Sequence, residues 1–225
     1  RGCNFTETID ATPGAEFTKY TPNSKIDDAD SLTLYFWQHN HFFKILGCRG
    51  TGPSSEAKAS EYAKAKWEFQ GIYAGPVDQG IEVGTFPTAQ PLVFKSAQVA
   101  IDSYAAVIES LKIDVKNELA TRPDANSVTG ILSYFIKERA VTGEIDPEAV
   151  ALSAKNFWQM WEDSQAVALS ATIGQSAGNR CRISCPNVQL DTPKYADRDN
   201  RLTMALPLLI NPSPAGNDEI EFVFD

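Results

Sequence analysis

The sequence predicts a mainly β protein, an antiparallel β-sandwich or barrel-forming sheet with one flanking α-helix at about residues 146–163. Two observations favour this fold class. Short segments that alternate apolar and polar residues recur along the chain, and turn-forming residues separate them. Only one segment repeats its apolar residues with helical spacing. Strands joined by turns are typical of a sandwich or barrel, and a single apolar helix face needs a sheet to cover.

Length and composition favour one domain, residues 1–225, with a packed core. Of the 225 residues, 43% are hydrophobic and 10% aromatic, which is not typical of a disordered chain. The formal net charge of −9 argues against a protein that grips nucleic acid by its phosphates, since that function needs clustered Lys and Arg. The chain has no apolar run of about 20 residues and no basic leader, so we predict neither a membrane span nor a signal peptide.

Alternation predicts about nine strands. In the first clear one, Ser31–Trp37, the side chains of Leu32, Leu34 and Phe36 share a face, and residues 38–40 turn into a partner strand at residues 41–49. Residues 51–55 are expected to form a turn, and a long half-buried strand follows from Tyr62 to Tyr73. The other predicted strands are residues 107–116, 131–145, 167–173, 180–185, 202–210 and 219–224.

The predicted helix begins with residues suited to a helix N-terminus. Asp146 is expected to cap the free backbone N–H groups, and Pro147 suits the first helical position because it has no N–H to lose. The apolar residues of the segment then recur at helical spacing and predict a face buried against the sheet: Val150, Ala154, Phe157, Trp158 and Trp161.

Residues 75–91 are predicted to form a long loop, because Gly and Pro are frequent and few residues suit a packed element. The loop region extends to about residue 103. A loop of this length in a small domain is typically functional or disordered. Its glycines do not follow a phosphate-binding pattern.

Neither the cysteines nor the histidines predict a metal site. Cys181 and Cys185 are four residues apart on a predicted strand, about 13 Å, so they cannot share a disulfide or one zinc ion unless the strand is broken. We expect buried free thiols. His39 and His41 are the only histidines and are expected at a hairpin tip. No nucleophile stands beside an oriented base, so we predict no enzyme activity and no cofactor.

An ordered series of motifs resembles the tail tube protein family of long-tailed bacteriophages, the siphophages. Together the motifs span nearly the whole chain. They are Arg1–Phe5, Tyr20–Pro22, Ser31–Tyr35, Lys44–Gly50, Trp67–Gly75, Tyr104–Leu111, Asn117 with Arg122, Arg139–Glu148, Ser176–Asn179, Cys185–Gln189 and Ala215–Glu219. Relatives in this family carry a sizeable segment before the position of Arg1, so we expect this chain to lack an N-terminal segment.

The resemblance implies a structural protein with a β-sandwich fold and a flanking helix. Six subunits would form a ring, inner strands would close into a continuous β-barrel, and stacked rings would form a tube that conducts viral DNA into the host cell. The long loop would contribute contacts between stacked rings. Its candidate contact residues are Pro76, Val77, Asp78, Pro87 and Pro91.

The resemblance also implies partners and a location. The subunit would contact itself, the tail terminator and the baseplate or tip proteins, and a tape measure protein would occupy the lumen. DNA would pass through without specific binding, and no membrane would be involved. The protein would reside in the virion tail after assembly in the bacterial host cytoplasm.

Three other functions remain open on the residues alone. The chain could be another β-sandwich virion or tail component, such as a decoration or terminator protein, which would form no long tubes. It could be an extracellular carbohydrate-binding module, with exposed aromatics such as Trp37 as a sugar platform. A hydrolase would need a pocket that holds a histidine or a pair of carboxylates.

Overall fold

The fold consists of fourteen β-strands and one short α-helix within residues 1–25, 29–86, 88 and 90–225, which the computed structural model describes. The strands pair antiparallel, and the predicted fold class is confirmed. The strands are β1 Phe5–Asp10, β2 Phe17–Pro22, β3 Leu32–Gln38, β4 His41–Lys58, β5 Lys64–Asp78, β6 Ala100–Ile101, β7 Tyr104–Ala105, β8 Ser110–Pro123, β9 Ile131–Ile145, β10 Val167–Ser176, β11 Asn179–Leu190, β12 Lys194–Arg198, β13 Arg201–Ile210 and β14 Glu221–Phe224. The helix α1 is Phe157–Glu162.

The strands form one sheet that does not close on itself. Its main order is β1-β2-β14-β11-β13-β9-β8-β4-β3, while β5 pairs with β4, β10 with β11 and β12 with β13. The apolar sides of strands from both halves of this order belong to one core, which includes Ile113 of β8, Leu169 of β10 and Leu206 of β13. Each of these side chains is almost fully buried, so burial of alternate residues stabilises the fold.

Strand β4 runs through the segment for which the sequence predicts a turn. Residues 51–55 continue β4, although the Gly52–Pro53 peptide bond is cis and the register with β5 shifts between Thr51 and Ser54. The strand bends at this irregularity. Its first half pairs with β3 and its last residues, Ser54–Lys58, pair with β8. The turn prediction was wrong because Gly and Pro here serve a bulge and not a reversal.

The helix is much shorter than predicted, since α1 has six residues and begins after Asn156. Asp146 does not cap it. The Asp146 carboxylate instead accepts hydrogen bonds from the backbone N–H groups of Glu109 and Ser110, at 2.9 and 2.8 Å. Residues 147–149 bond to the neighbouring strands, for example through the N–H of Ala149 to the carbonyl of Leu202. Tertiary pairing therefore overrides the helical pattern in the first half of the segment.

Other strand bounds differ from the prediction by several residues. Strand β9 agrees at both ends, whereas β8 begins at Ser110 and continues to Pro123, beyond the predicted end at residue 116. Strand β5 continues to Asp78, so the irregular segment begins at Gln79 and not at Gly75. Within the described residues, no helix has the length and hydropathy of a membrane span.

Candidate functional site

Four long strands, in the order β5-β4-β8-β9, form a wall with two open edges. Among the described residues, β5 pairs with β4 alone from Lys64 onward. At the other side of the wall, β13 covers β9 only from Val141 to Ile145. The backbone of β9 from residue 131 to residue 140 pairs with β8 alone. Open edges of this length carry unpaired N–H and C=O groups that favour pairing with another strand.

The outer strand β5 is exposed along most of its length. Several of its large apolar side chains reach solvent, including Trp67 at 51% exposure and Tyr73 at 56%. Pro76 lies where the register against β4 shifts, between the pairs Lys44–Ala74 and Phe42–Val77. Because proline has no N–H to donate, its place near the end of β5 is typical of an edge strand or a bulge.

The two faces of the wall differ in chemistry. On one face, Leu111, Ile113 and Val115 of β8 lie in the core together with Val141 and Ile145 of β9. The opposite face, which we call the bare face, has no layer packed over it within the described residues. It carries charged side chains: Glu56 and Lys58 of β4, Lys64, Lys66 and Glu68 of β5, Lys112, Asp114, Lys116 and Glu118 of β8, and Lys137, Glu138 and Glu144 of β9.

Strand register sets most of the charges on the bare face beside a charge of opposite sign, although Glu118 lies opposite Glu138. One row across all four strands reads Lys64, Glu56, Lys112, Glu144. Three ion pairs join neighbours on this face: Lys66–Glu68 at 2.5 Å, Lys116–Asp114 at 3.4 Å and Lys137–Glu118 at 2.9 Å. The hydrogen bond from Lys66 holds the pKa of Glu68 below its ordinary value, as Lys137 does for Glu118. Such exposed pairs contribute little to stability but fix the pattern of charge.

A buried asparagine fixes the place where the wall divides. Asn117 of β8 donates through Nδ2 to the carbonyls of Cys3 and Gly50, each at 2.9 Å. Its backbone N–H donates to Thr51 Oγ1 at 2.9 Å. Beyond this point β4 continues beside β3, and β8 continues with β9 as a two-stranded hairpin. Asn117 therefore satisfies backbone groups that the diverging strands leave unpaired.

The predicted helix face is only partly assembled. Phe157 is 1% exposed and lies in the core, where its ring meets Tyr104 edge-on at 6.3 Å between centroids. Trp158 and Trp161 are half-buried and pack against the core from its rim. Val150 and Ala154 precede the helix and are exposed, so their predicted burial was wrong. Met160 is buried in the helix instead, a residue that the predicted stripe omitted.

The predicted ring-contact residues do not lie in one loop. Pro76, Val77 and Asp78 end strand β5 and are exposed. Pro91 is exposed in the irregular segment, and Pro87 lies outside the described residues. In that irregular segment, Ile81, Val83 and Phe86 are 64%, 97% and 85% exposed. Three large apolar side chains exposed within six residues make this segment a candidate interaction surface.

The cysteines and histidines lie where the sequence predicted. Cys3, Cys48, Cys181 and Cys185 are buried free thiols, and burial raises the pKa of Cys185 to about 12. His39 lies in the turn between β3 and β4. His41 lies opposite Asp78, at 3.7 Å between Nε2 and Oδ1, a neighbour that sequence reasoning missed. The described residues hold no group of three or more side chains suited to a metal ion.

The open edges and the bare face were not identified from the sequence as a site. Alternating charges such as Lys112, Asp114, Lys116 and Glu118 predicted a polar strand face. The register that places Glu56 between Lys64 and Lys112 depends on pairings between distant segments, which the alternation does not specify.

Comparison with known proteins agrees with this architecture. A family model described as phage tail tube protein matches residues 5–215. The comparison with curated proteins finds no match. The match covers most of the chain, including all four strands of the wall. The chain therefore belongs to the phage tail tube protein family.

Proposed function

We propose that this protein is the repeating subunit of a phage tail tube, and that six copies form a ring through their open wall edges. Strand β5 of one subunit pairs with residues 131–140 of β9 in the next. The observation that carries the proposal is the pair of open edges on opposite sides of the wall, along β5 and along residues 131–140 of β9, which lie in the β8–β9 hairpin beyond the β4–β8 pairing. Joining these edges around a ring gives a closed barrel and removes the unpaired backbone.

The arrangement of the two faces sets the orientation of the wall in this barrel. The core and the remaining strands lie on one side of the wall, so they occupy the outside of the ring. The bare face then lines the channel through which viral DNA passes into the host cell. The subunit needs no catalytic group for this role, which is structural.

Rings stack through the exposed segment that follows β5. Ile81, Val83 and Phe86 present apolar surface there, and Pro76–Asp78 lead into it. In a stacked tube, this segment contacts a subunit of the next ring. The tail terminator and tip proteins bind the two ends of the tube. A tape measure protein fills the lumen before DNA enters it. Assembly takes place in the host cytoplasm. Removing residues 79–91 should leave a folded subunit that forms no long tubes.

Two proline variants of β5 test the joining of the edges. In an antiparallel strand, successive N–H groups point alternately to one side and the other. Ala65 and Lys66 lie where β5 pairs regularly with Ser55 and Ser54 of β4. Of Ala65→Pro and Lys66→Pro, one therefore removes an N–H that bonds β4, and the other removes an N–H on the open edge. A thermal melt identifies the variant that keeps its stability.

The stable variant is then examined by negative-stain electron microscopy beside the unaltered protein. The proposal expects tubes from the unaltered protein and only dispersed subunits from the stable variant. The same pair of substitutions on another edge strand, Tyr195→Pro and Ala196→Pro of β12, is the control, and its stable member should form tubes. Tubes of normal length from the stable β5 variant would refute the pairing.

A further inference from the structure

We infer that the channel wall is charge-balanced, so that a DNA duplex in transit meets neither net attraction nor net repulsion. The inference rests on the proposed function, because it takes the bare face as the lining of the channel. It concerns the sign and arrangement of charge on that face. An acidic lining, which the overall charge of −9 would favour, is not what the register produces.

Positive and negative side chains are nearly equal in number on the bare face. Over residues 54–58 of β4, 64–68 of β5, 110–118 of β8 and 137–144 of β9, the face carries six lysines and six carboxylates. Strands β4 and β8 pair directly in this area only between Ser54–Lys58 and Ser110–Asp114. Glu109, which precedes β8, adds a carboxylate at the border of the face, 3.0 Å from Lys58. Arg139 is the one other charged residue in these ranges, and its side chain turns to the opposite face to pair with Glu219. The formal charge of these ranges of the bare face is therefore zero, or −1 with Glu109, and nearly all of the net charge of −9 lies elsewhere on the chain.

Opposite charges also lie at short range over most of the face, although Glu118 lies opposite Glu138 and Lys64 and Lys66 are successive residues on the same face of β5. The row of Lys64, Glu56, Lys112 and Glu144 changes sign at every step across the strands. Along β8 the face reads Lys112, Asp114, Lys116, Glu118. Neighbouring strands are about 4.8 Å apart and alternate residues of one strand about 7 Å apart, so opposite charges lie within a Debye length of about 8 Å. Seen from the channel axis, the fields of such neighbours largely cancel.

This pattern suits a partner that must pass and not bind. A lining rich in lysine would release counterions from the phosphates and hold the duplex, and the affinity would depend steeply on salt. A lining rich in carboxylates would repel each phosphate that enters. Intermixed charges avoid both effects and keep the wall hydrated. The partner that this face suits is a DNA duplex that moves past it, and the face does not distinguish one base sequence from another.

The test shifts the balance of the face and measures DNA binding. The triple variant Glu56→Gln, Asp114→Asn, Glu144→Gln gives the face three excess positive charges. The control Glu16→Gln, Glu162→Gln, Asp199→Asn changes the net charge equally at exposed positions off the face. Each protein is titrated into a fluorescent duplex of about 20 base pairs at low salt, and anisotropy reports binding. Circular dichroism checks folding, and the single variants Glu56→Gln and Glu144→Gln replace a triple variant that does not fold.

We expect no measurable binding of the duplex by the unaltered protein or by the control. We expect the triple variant to bind at least about tenfold more tightly than the control, with affinity falling as salt rises. Equal binding by triple variant and control would overturn the inference, as would tight binding by the unaltered protein. Tube formation is scored separately by microscopy, so a failure of the proposed function is distinguished from a failure of the charge balance.

Discussion

Arg139 and Glu219 form a buried ion pair, with 2.5 Å between Nη2 and Oε1 and side chains that are 9% and 5% exposed. Arg139 Nη1 also donates to the carbonyl of Asn23 at 2.9 Å. The pair joins β9, close to the point where its edge becomes open, to the segment before β14. It therefore fixes the open edge of the wall to the rest of the subunit.

Removing one partner of this pair should destabilise the subunit strongly. Arg139→Met and Glu219→Leu should each lower the free energy of unfolding by about 3 kcal/mol, because each leaves an unpaired buried charge. The double variant should lose less than the sum of the two. Urea unfolding of the four proteins measures these differences. Near-neutral single variants, or additive losses, would show that the pair does not couple these segments.

Replacing each of the two aromatic residues at the start of α1 by alanine should lower the free energy of unfolding by different amounts. Phe157→Ala should destabilise by about 3–5 kcal/mol, since the side chain is fully buried. Trp158→Ala should cost about half as much or less, because Trp158 is only half-buried and donates from Nε1 to the Tyr195 hydroxyl at 3.2 Å near the surface. Urea unfolding compares the two variants, and an equal loss would place Trp158 in the core.

Replacing Asn117 should destabilise the fork, the place at Asn117 where β4 and β8 diverge. Asn117→Leu leaves the carbonyls of Cys3 and Gly50 without a donor and should cost about 2 kcal/mol or more. Asn117→Asp should be worse, because its carboxylate oxygens would face those carbonyls. Thermal unfolding ranks the variants. An Asp variant as stable as the Leu variant would contradict this account of the fork.

The thiols should be unreactive in the folded protein. Burial raises the pKa of Cys3 and Cys181 to about 11 and that of Cys185 to about 12, so little thiolate exists at pH 8. A thiol reagent at pH 8 should label no cysteine of the native protein quickly and all 4 after unfolding in urea. Rapid labelling at Cys181 or Cys185 in the native state would mean that the β10–β11 region opens.

Asp225 should make stability depend on acid pH. Hydrogen bonds from Arg180 hold the pKa of Asp225 below its ordinary value, and Arg182 adds to the effect. Because the folded-state pKa lies below the unfolded value of about 3.9, this stabilisation is present above that value and is lost as the pH falls through the folded-state pKa. Asp225→Asn should destabilise by about 1 kcal/mol at pH 7, and the difference should vanish in acid. A constant difference between pH 7 and pH 2 would exclude this linkage.

The strands of the wall could be predicted where alternation was strong. Strand β9 was identified to the residue, and Leu111, Ile113 and Val115 are buried as their spacing indicates. The helix could not be bounded, because the pattern from Val150 to Trp161 satisfies helical spacing while Asp146 and residues 147–149 bond to distant strands. The turn predicted at residues 51–55 failed for a similar reason. Glycine and proline do not reveal whether a chain reverses or only bends.

The proposed assembly surface depends on strand pairings that a single strand's sequence does not contain. The exposure of β5 follows from its place outside β4, and the openness of β9 follows from the point where β13 ends its pairing at Val141. Charge alternation along β8 was visible in the sequence, yet the row through Lys64, Glu56 and Lys112 appears only with the register. The assembly that we propose for these edges comes from the family resemblance.

Electron cryomicroscopy of tubes grown from the purified protein would show the proposed contact between neighbouring subunits. We expect a map in which β5 of one subunit runs beside residues 131–140 of β9 in its neighbour, with backbone hydrogen bonds between them and the bare face toward the channel. Tubes in which β5 stays open to solvent, or in which the bare face points outward, would contradict it.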